Sequence, residues 1–516
     1  MNVPAKRLFS RPSCSMSNKP NPKAKRNSQR PPAVAVSTPL SLDRQFLTPH
    51  YKSFFILFFV LGSFLRILLC WSNPPGNFFD NHFEPILLIM KTGTIPAKND
   101  CWQCYHPPVF YWISAMAGHV ATHMVATISQ LLKFFQFVVC FYGILTLGVL
   151  YLILNKLPLS DFSRLLAFGT ACFLPRHIYM SAMNSNDTIS YLFVALSIYL
   201  LLIAIERKFP FLVLLAASIV ISLTLFTKYT SFVVLPVVLT VFALLLYKRL
   251  FASRKQALLS FVLMLLIPTM ILTGYLIWNK KHYDTPLPWN VSRSDPSLIQ
   301  PRDSNHFDFF TFKPWESVDL PIIVPGRMHS FWTLVYSGMW FDNEPKFLYF
   351  LVANQSWWDH YYAWLRGEEN SPEDSPTISR LTKFLGAGLI IFGFFPLLLM
   401  VRGFGNLFLG TWRSHMSAGE MVKMSIFPAL LFSNMVVMIA LAVRLPVYTS
   451  AKASYFLNSL PAFVVFLSLG LMACEKNKHL KWAMVVAFSV LFSLASVHIL
   501  HIVLSISVLK PANLLG

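Results

Sequence analysis

The sequence predicts an all-α polytopic membrane protein of about eleven transmembrane helices, with surface helices and one large loop on the extracytoplasmic side. Three observations lead there. Hydrophobic residues make up 55% of the chain, charged residues only 13%, and the mean hydropathy is +0.54. Apolar runs recur at lengths that cross most or all of ~30 Å of hydrocarbon at ~1.5 Å per residue. Basic clusters fall at alternate turns, as the positive-inside rule requires. The net charge of +21 would suggest nucleic acid in a soluble protein; here cytoplasmic anchoring explains it, and no nucleic-acid partner is expected. The seven cysteines form no disulfide framework.

Residues 1–52 hold ten Lys or Arg against one acid, Asp43, and read as a basic, disordered cytoplasmic tail. Ser53–Trp71 is the first span; it is too long for the apolar core of a cleavable signal peptide. The first extracytoplasmic loop, 72–128, follows. Within it Val109–His123 is apolar but short and starts from Pro-Pro, so it reads as a surface-lying helix. Counting it as a span would invert every later loop and place the basic cluster Lys248–Lys255 outside. Spans follow at Ser129–Leu154, Phe162–Met180, from Asp187 to Glu206, at Phe211–Phe226, Ser231–Leu246 and Ala257–Trp278. Residues 53–278 thus form a first transmembrane module. Residues 279–380 are polar and rich in Trp, Tyr, Pro and Asp. A structureless loop of that length is uncommon, so an extracytoplasmic capping region is expected. Residues 381–516 supply four more helices: Leu381–Val401, Ser425–Ala442, Ser454–Met472 and Trp482–Ile506.

The chemistry concentrates in Asn77–Trp112, NFFDNHFEPILLIMKTGTIPAKNDCWQCYHPPVFYW. Ionisable side chains beside a bilayer are costly to hold and mark functional positions. Asp80 and Glu84 are i and i+4, one face of a helix, although Pro85 disfavours helical geometry at Glu84. Leu87, Leu88 and Met90 give a following helix its apolar side. Asp80, His82, Glu84, His106, Lys133, Arg176, Asp187, Lys228, Arg444 and Lys452 all fall at the outer ends of spans, from four separate loops.

Asp80, His82 and Phe83, followed by His106-Pro107-Pro108, resemble the protein O-mannosyltransferase family, a glycosyltransferase family 39-like group of the GT-C superfamily. That family has Asp-Glu, a spacer, then His-Phe; this chain reads Asp80-Asn81-His82-Phe83. Bacterial relatives, including the lipid A aminoarabinose transferases, keep the first acid and the Pro-Pro. The resemblance implies a GT-C-type catalytic module and a sugar donor carried on a polyprenyl phosphate, dolichyl or undecaprenyl. It also implies a basic residue near the donor phosphate where Lys133 stands, a cavity-facing acid at Asp187, and a Lys-aromatic pair at Lys228-Tyr229.

Each candidate has a plainer reading beside it. Asp80 is the candidate catalytic residue, a general base taking the proton of an acceptor hydroxyl; the alternative is an interfacial helix cap. His82, Glu84 and His106 have ligand chemistry for a divalent metal, but the expectation is that no metal is required. His106 otherwise orients the loop or touches the donor phosphate. Lys133, Lys228, Arg444 and Lys452 are candidates to neutralise that phosphate, with Lys228 and Lys452 first; the alternative for each is a snorkelling interfacial cation. Cys101 and Cys104 read as a local disulfide, as two thiols, or as half of a zinc site. Asn290-Val-Ser and Asn354-Gln-Ser are glycosylation sequons.

The functional expectation is an inverting membrane glycosyltransferase on the extracytoplasmic side. It would move a sugar from a polyprenyl-phosphate-linked donor to a glycan, lipid or protein acceptor. It would sit among the lipids of a bacterial inner membrane or an endoplasmic reticulum membrane. The competing class is a transporter or lipid flippase, which would keep polar residues near the bilayer midplane on interrupted helices.

Overall fold

The computed structural model describes residues 49–75, 82–288, 290, 310–319, 330–342, 347–351, 360, 377–408, 416–444 and 451–508. All belong to one unit, Leu47–Gly516. The basic tail, Asp80, Asn354 and much of 279–380 lie outside the described residues. Among the described residues nine helices are long and apolar enough to cross a membrane. The chain is a multi-pass, all-α membrane protein.

The first half runs α1 (Pro49–Ser72), α2 (Phe83–Thr92), α3 (Val109–Ala121), α4 (Ile128–Leu154), α5 (Asp161–Phe173), α6 (Pro175–Ser181), α7 (Asn186–Glu206) and α8 (Phe211–Leu225). It continues through a 3-10 turn (Tyr229–Val233) into α9 (Val234–Tyr247), then α10 (Arg254–Phe261) and α11 (Ile267–Tyr283). The second half has α12 (Glu316–Asp319), α13 (Phe331–Trp340), α14 (Arg380–Phe408), α15 (Ala418–Arg444), α16 (Ala453–Phe456), α17 (Leu460–Glu475) and α18 (Lys478–Val508).

Two of the expected spans are not among the nine. Phe211–Leu225 is a 15-residue apolar helix. Phe162–Met180 is broken in two. Pro175 pushes Leu174 out of helical geometry (φ −66°, ψ 112°) and itself opens α6. The break orphans carbonyls at the end of α5, and Arg66 of α1 takes them. Its guanidinium donates to Cys172 O at 2.7 Å and Ala171 O at 3.2 Å. The same group reaches His177 Nδ1 at 2.7 Å. A fully buried arginine is tolerable because these partners, with Gly62 O at 2.7 Å, satisfy its two terminal nitrogens, while Nε has no partner among the described residues. α10 and α11 form one span, joined by a π turn at Val262–Leu266 just before Pro268. The missing proline N–H is absorbed there.

α7 and the 453–475 helices are the most enclosed spans and form the centre. α14 crosses α17 backbone to backbone. A Cβ on Gly403 would stand 1.9 Å from Phe466 O, and one on Gly470 1.9 Å from Leu399 O, so only glycine fits at this crossing.

One end of the bundle collects basic loops. Lys156 pairs with Glu206 at 3.0 Å, Gln256 donates to Lys208 O at 2.6 Å, and Lys481 lies 4.0 Å from Glu475. Ser160 donates to Glu475 at 2.5 Å, bringing the start of α5 to the same end. α7, 21 residues and about 30 Å long, starts at the opposite end. α3 has both its ends at that opposite end. His106 just before it meets Lys228, and α4 begins just after it and descends to Lys156. A 13-residue helix spans only about 20 Å. The expected surface-lying helix therefore does not cross. α2 and α3 instead pack on the top of α4 around Phe83, Ile86, Ile89, Phe110, Leu131 and Phe135, a small core of their own.

Candidate active site

The small core under α2 and α3 fixes the loop that carries the histidines. α2 begins at Phe83, and Pro85 falls in its first turn, where a missing N–H is harmless. The helix thus includes Glu84 despite the proline. His82 is buried at its N-cap, and His82 Nδ1 lies 2.8 Å from the Tyr111 hydroxyl. Tyr111 OH in turn donates to Gln103 O at 3.4 Å, so the imidazole Nδ1–H donates to the tyrosine oxygen. His82 also stacks on His106, with ring centroids 5.7 Å apart and planes at 25°.

The residues between them are tied down locally. Cys101 and Cys104 are joined by a disulfide. Asn290, the sequon asparagine, donates its amide to Lys98 O at 3.0 Å and Trp102 O at 2.9 Å. Tyr229 donates to Tyr105 O at 3.0 Å, and Val109 N–H to Phe226 O at 3.0 Å. The loop is thereby clamped to the ends of α8 and of the 3-10 turn.

Asp187 enters from the first turn of α7. Ser185 caps the helix and donates to Asp187 Oδ2 at 2.9 Å, and a helix N-terminus favours a carboxylate. Lys228 comes from the turn after α8. Its ammonium lies 2.6 Å from Asp187 Oδ1, with the two side chains only 6% and 9% exposed. The same ammonium sits 5.1 Å from the ring centroid of Tyr455, on α16. Lys452 is the N-cap of α16.

His106 is where these groups meet. Its imidazole is held well below the ordinary histidine range. Desolvation is the largest cause, followed by the positive charge of Lys228 and then by His82. Asp187 pulls the other way, and Lys452 adds to the depression. The ring is therefore neutral near pH 7, and its Nδ1 is buried without a hydrogen-bond partner among the described residues. Burial also holds the Tyr111 hydroxyl well above its usual range, so it stays protonated as a hydrogen-bonding group.

Other predicted residues stand elsewhere. Asp80, two residues before His82 in the chain, lies outside the described residues. Lys133 donates to Cys70 O at 2.9 Å, to Asn73 O and to Gln136 Oε1 at 2.7 Å. It holds the C-terminal end of α1, where a helix leaves orphan carbonyls. Glu84 and Arg444 are exposed. Among the described residues no three His, Cys, Asp or Glu side chains come close enough to hold a metal ion, so His82, Glu84 and His106 do not assemble as ligands. Arg176 is fully buried, donates to Gly338 O at 2.6 Å and lies 3.8 Å from Asp342, pinning α13 onto α6. Sequence reading missed Tyr455, Tyr105 and Tyr111. Asn184 and Asn186, which the sequence places at the same span end as Asp187, are fully buried, and their carboxamides have no hydrogen-bond partner among the described residues.

Two cavities flank this cluster. One, about 570 Å³, is almost wholly apolar; Phe404, Leu431, Phe432, Phe456 and Phe463 of α14–α17 help to line it, and α13 covers it. Phe456, next to Tyr455 in the chain, is the lining residue nearest in sequence to the Lys228 cluster; no Lys, Arg, Asp or Glu is among the cavity's described lining. The other, about 430 Å³, lies against Tyr105 and His106 on one side and α11 on the other.

The bundle, with its expected third span broken at Pro175 and surface helices packed on one end, shares its fold with a solved membrane protein. The oligosaccharyltransferase of Archaeoglobus fulgidus in its apo form has this fold, with a TM-score of 0.51 and 14% identity over 87% of this chain. The likeness covers 56% of that enzyme, so this chain spans about half the length of the protein it matches. Weaker likenesses join it to the Saccharomyces cerevisiae protein O-mannosyltransferase Pmt1-Pmt2 complex bound to the sugar donor and to ArnT from Cupriavidus metallidurans in the apo state. The first has a TM-score of 0.36 and 17% identity over 50% of this chain and 36% of that one. The second has 0.37 and 13% over 81% and 77%. No protein-family model and no curated protein matches the sequence.

Proposed function

We propose that the protein is a glycosyltransferase that takes its sugar from a polyprenyl-phosphate donor, dolichyl or undecaprenyl. The observation that carries this reading is the meeting of Lys228, Lys452 and a neutral His106 in a bundle that also holds a large apolar cavity, lined by Phe456 next to Tyr455 in the chain. A lipid phosphate needs that pairing: cations for the head and a water-free groove for the chain. The lipid would lie between α14 and α15 with its phosphate toward Lys228 and Lys452. The neutral His106 would donate to or accept from the sugar or the phosphate without adding charge.

Asp80 is the proposed general base. The acceptor oxygen attacks the anomeric carbon, and its proton passes to the Asp80 carboxylate. The bond from the anomeric carbon to the phosphate oxygen breaks, and its electron pair leaves on the polyprenyl phosphate. One displacement inverts the anomeric centre. By the positive-inside rule the basic end with Lys156, Lys208 and Lys481 faces the cytoplasm, and the site faces outward.

The donor half is testable without an acceptor. Undecaprenyl phosphate or dolichyl phosphate at about 100 times its Kd should stabilise the purified protein by roughly 2.7 kcal/mol. Lys452→Ala should weaken that stabilisation while leaving the ligand-free protein unchanged. Absence of any shift with both lipids would remove the donor assignment.

A further inference from the structure

We propose that the groove between the disulfide loop and α11 is the acceptor subsite, and that it takes a neutral saccharide. The inference rests on the transferase reading above and names the acceptor class that reading leaves open. Tyr275, Trp278 and His282 fall at i, i+3 and i+7 and share one face of α11. The Tyr275 and Trp278 rings lie 6.3 Å apart with planes only 11° from parallel, a continuous flat wall. Trp278 is 41% exposed, so part of its ring is uncovered. Tyr105 forms the facing wall beside His106, with ring centroids 4.0 Å apart, and the groove ends against that imidazole.

The polar groups are few and uncharged. Asn279 donates its amide to Pro286 O at 3.0 Å, and its Oδ1 is buried with no hydrogen-bond partner among the described residues. The groove's described lining holds no Lys, Arg, Asp or Glu. A phosphorylated or otherwise anionic acceptor would find no cation in the described lining, the nearest being Lys98 over the outer Tyr283 ring, and burying its charge in the groove would be costly. A peptide backbone would find no strand edge to pair with and mostly side-chain partners. A neutral sugar has one apolar C–H face and a rim of hydroxyls. It matches an aromatic wall edged by tyrosine hydroxyls and one carboxamide. Its reacting hydroxyl would lie at the His106 end, on the opposite side from the donor's cations.

Gly274 supplies a probe. It faces the groove from α11, and a Cβ built there meets nothing within 4 Å. The first atom of a side chain there displaces nothing, so Gly274→Leu adds bulk at the groove wall, and leucine suits a helix better than glycine.

The test uses the full chain in phosphatidylcholine nanodiscs and saturation-transfer NMR with methyl mannoside, mannobiose and chitobiose as probes. Wild type should transfer saturation to the C–H protons of at least one sugar. Gly274→Leu should weaken that binding by at least about tenfold. Trp278→Ala should do likewise and Trp278→Phe should recover part of it. Gly274→Leu should keep its unfolding midpoint and its stabilisation by undecaprenyl phosphate. The proposal is overturned if no sugar binds the wild type, if Gly274→Leu binds as wild type does, or if a neutral Ser/Thr peptide binds in the groove and the sugars do not. The lipid arm separates the two readings. Sugar binding without lipid-phosphate stabilisation would sink the donor assignment and leave the groove standing, and the reverse would do the opposite.

Discussion

Lys228 and Asp187 form a buried ion pair, and breaking it from either side should have unequal consequences. With side chains 6% and 9% exposed, solvent screens the pair little. Removing one partner of such a pair costs about 3–5 kcal/mol, mostly the penalty of a stranded charge. Stranded Asp187 keeps the Ser185 hydroxyl and the N-terminus of α7. A hydrogen bond to a charged group contributes roughly 1.5–3 kcal/mol, and a helix N-terminus roughly 0.3–1 more. Stranded Lys228 keeps the Tyr455 ring, about 2 kcal/mol when desolvated, but faces the same helix N-terminus with the wrong sign. Asp187→Asn should therefore be more destabilising than Lys228→Met, by on the order of 1 kcal/mol. The double variant strands no charge and should be more stable than either single one, with a coupling of at least about 2 kcal/mol. Unfolding in detergent micelles titrated with sodium dodecyl sulfate measures the whole cycle. Additivity within about 0.5 kcal/mol would show that the two groups do not share a buried site.

Further outcomes follow from other contacts. His106 is protonated in the unfolded chain below about pH 6.5 but resists protonation when folded. The unfolded state thus binds more protons there, and stability should fall with falling pH from about 6.5, by up to about 1.4 kcal/mol per pH unit for this group. The unfolding midpoint from pH 8 to 5 should decline less steeply in His106→Gln than in wild type. Lys133→Met should cost on the order of 2 kcal/mol by releasing the carbonyls at the end of α1, read as a lowered unfolding midpoint. Gly403→Leu should prevent α14 from seating on α17, because its Cβ alone would overlap Phe466 O; the yield of monodisperse protein after gel filtration measures this.

Much of the architecture was legible in the sequence because hydropathy and loop charge are local properties. The surface-lying α3 could be read from its length and from the charge register of every later loop. The break at Pro175 has an equally local cause, yet Phe162–Met180 was expected as one span; its partner Arg66 has no local signal at all, since nothing near residue 66 announces that it will cap a helix end more than a hundred residues away. The site divides the same way. His82 and His106 could be noted as candidates from one short stretch. That Lys228 would be neutralised by Asp187 depends on two span ends meeting in space. Lys133 shows the limit most clearly. A lysine at an outer span end suits a phosphate, a headgroup and a helix C-terminus alike, and only the fold brings the end of α1 within its reach. Tyr105, Tyr455 and Asn290 carry no local signature distinguishing them from other interfacial aromatics or sequon asparagines.

The most direct test of the transferase reading is donor turnover by the purified chain. Polyprenyl-phosphate-linked sugar, dolichyl or undecaprenyl, is supplied with a neutral saccharide acceptor, and released polyprenyl phosphate and extended saccharide are both counted. General-base assistance is worth about 10²–10⁴-fold, so Asp80→Asn should lose at least ~100-fold in transfer while its unfolding midpoint still rises with polyprenyl phosphate. Equal amounts of the two products from wild type, and that loss in the variant, are the predicted result. An Asp80→Asn protein that transfers sugar at the wild-type rate would contradict the assignment of the base, and a wild type that releases no polyprenyl phosphate from either donor would contradict the transferase itself.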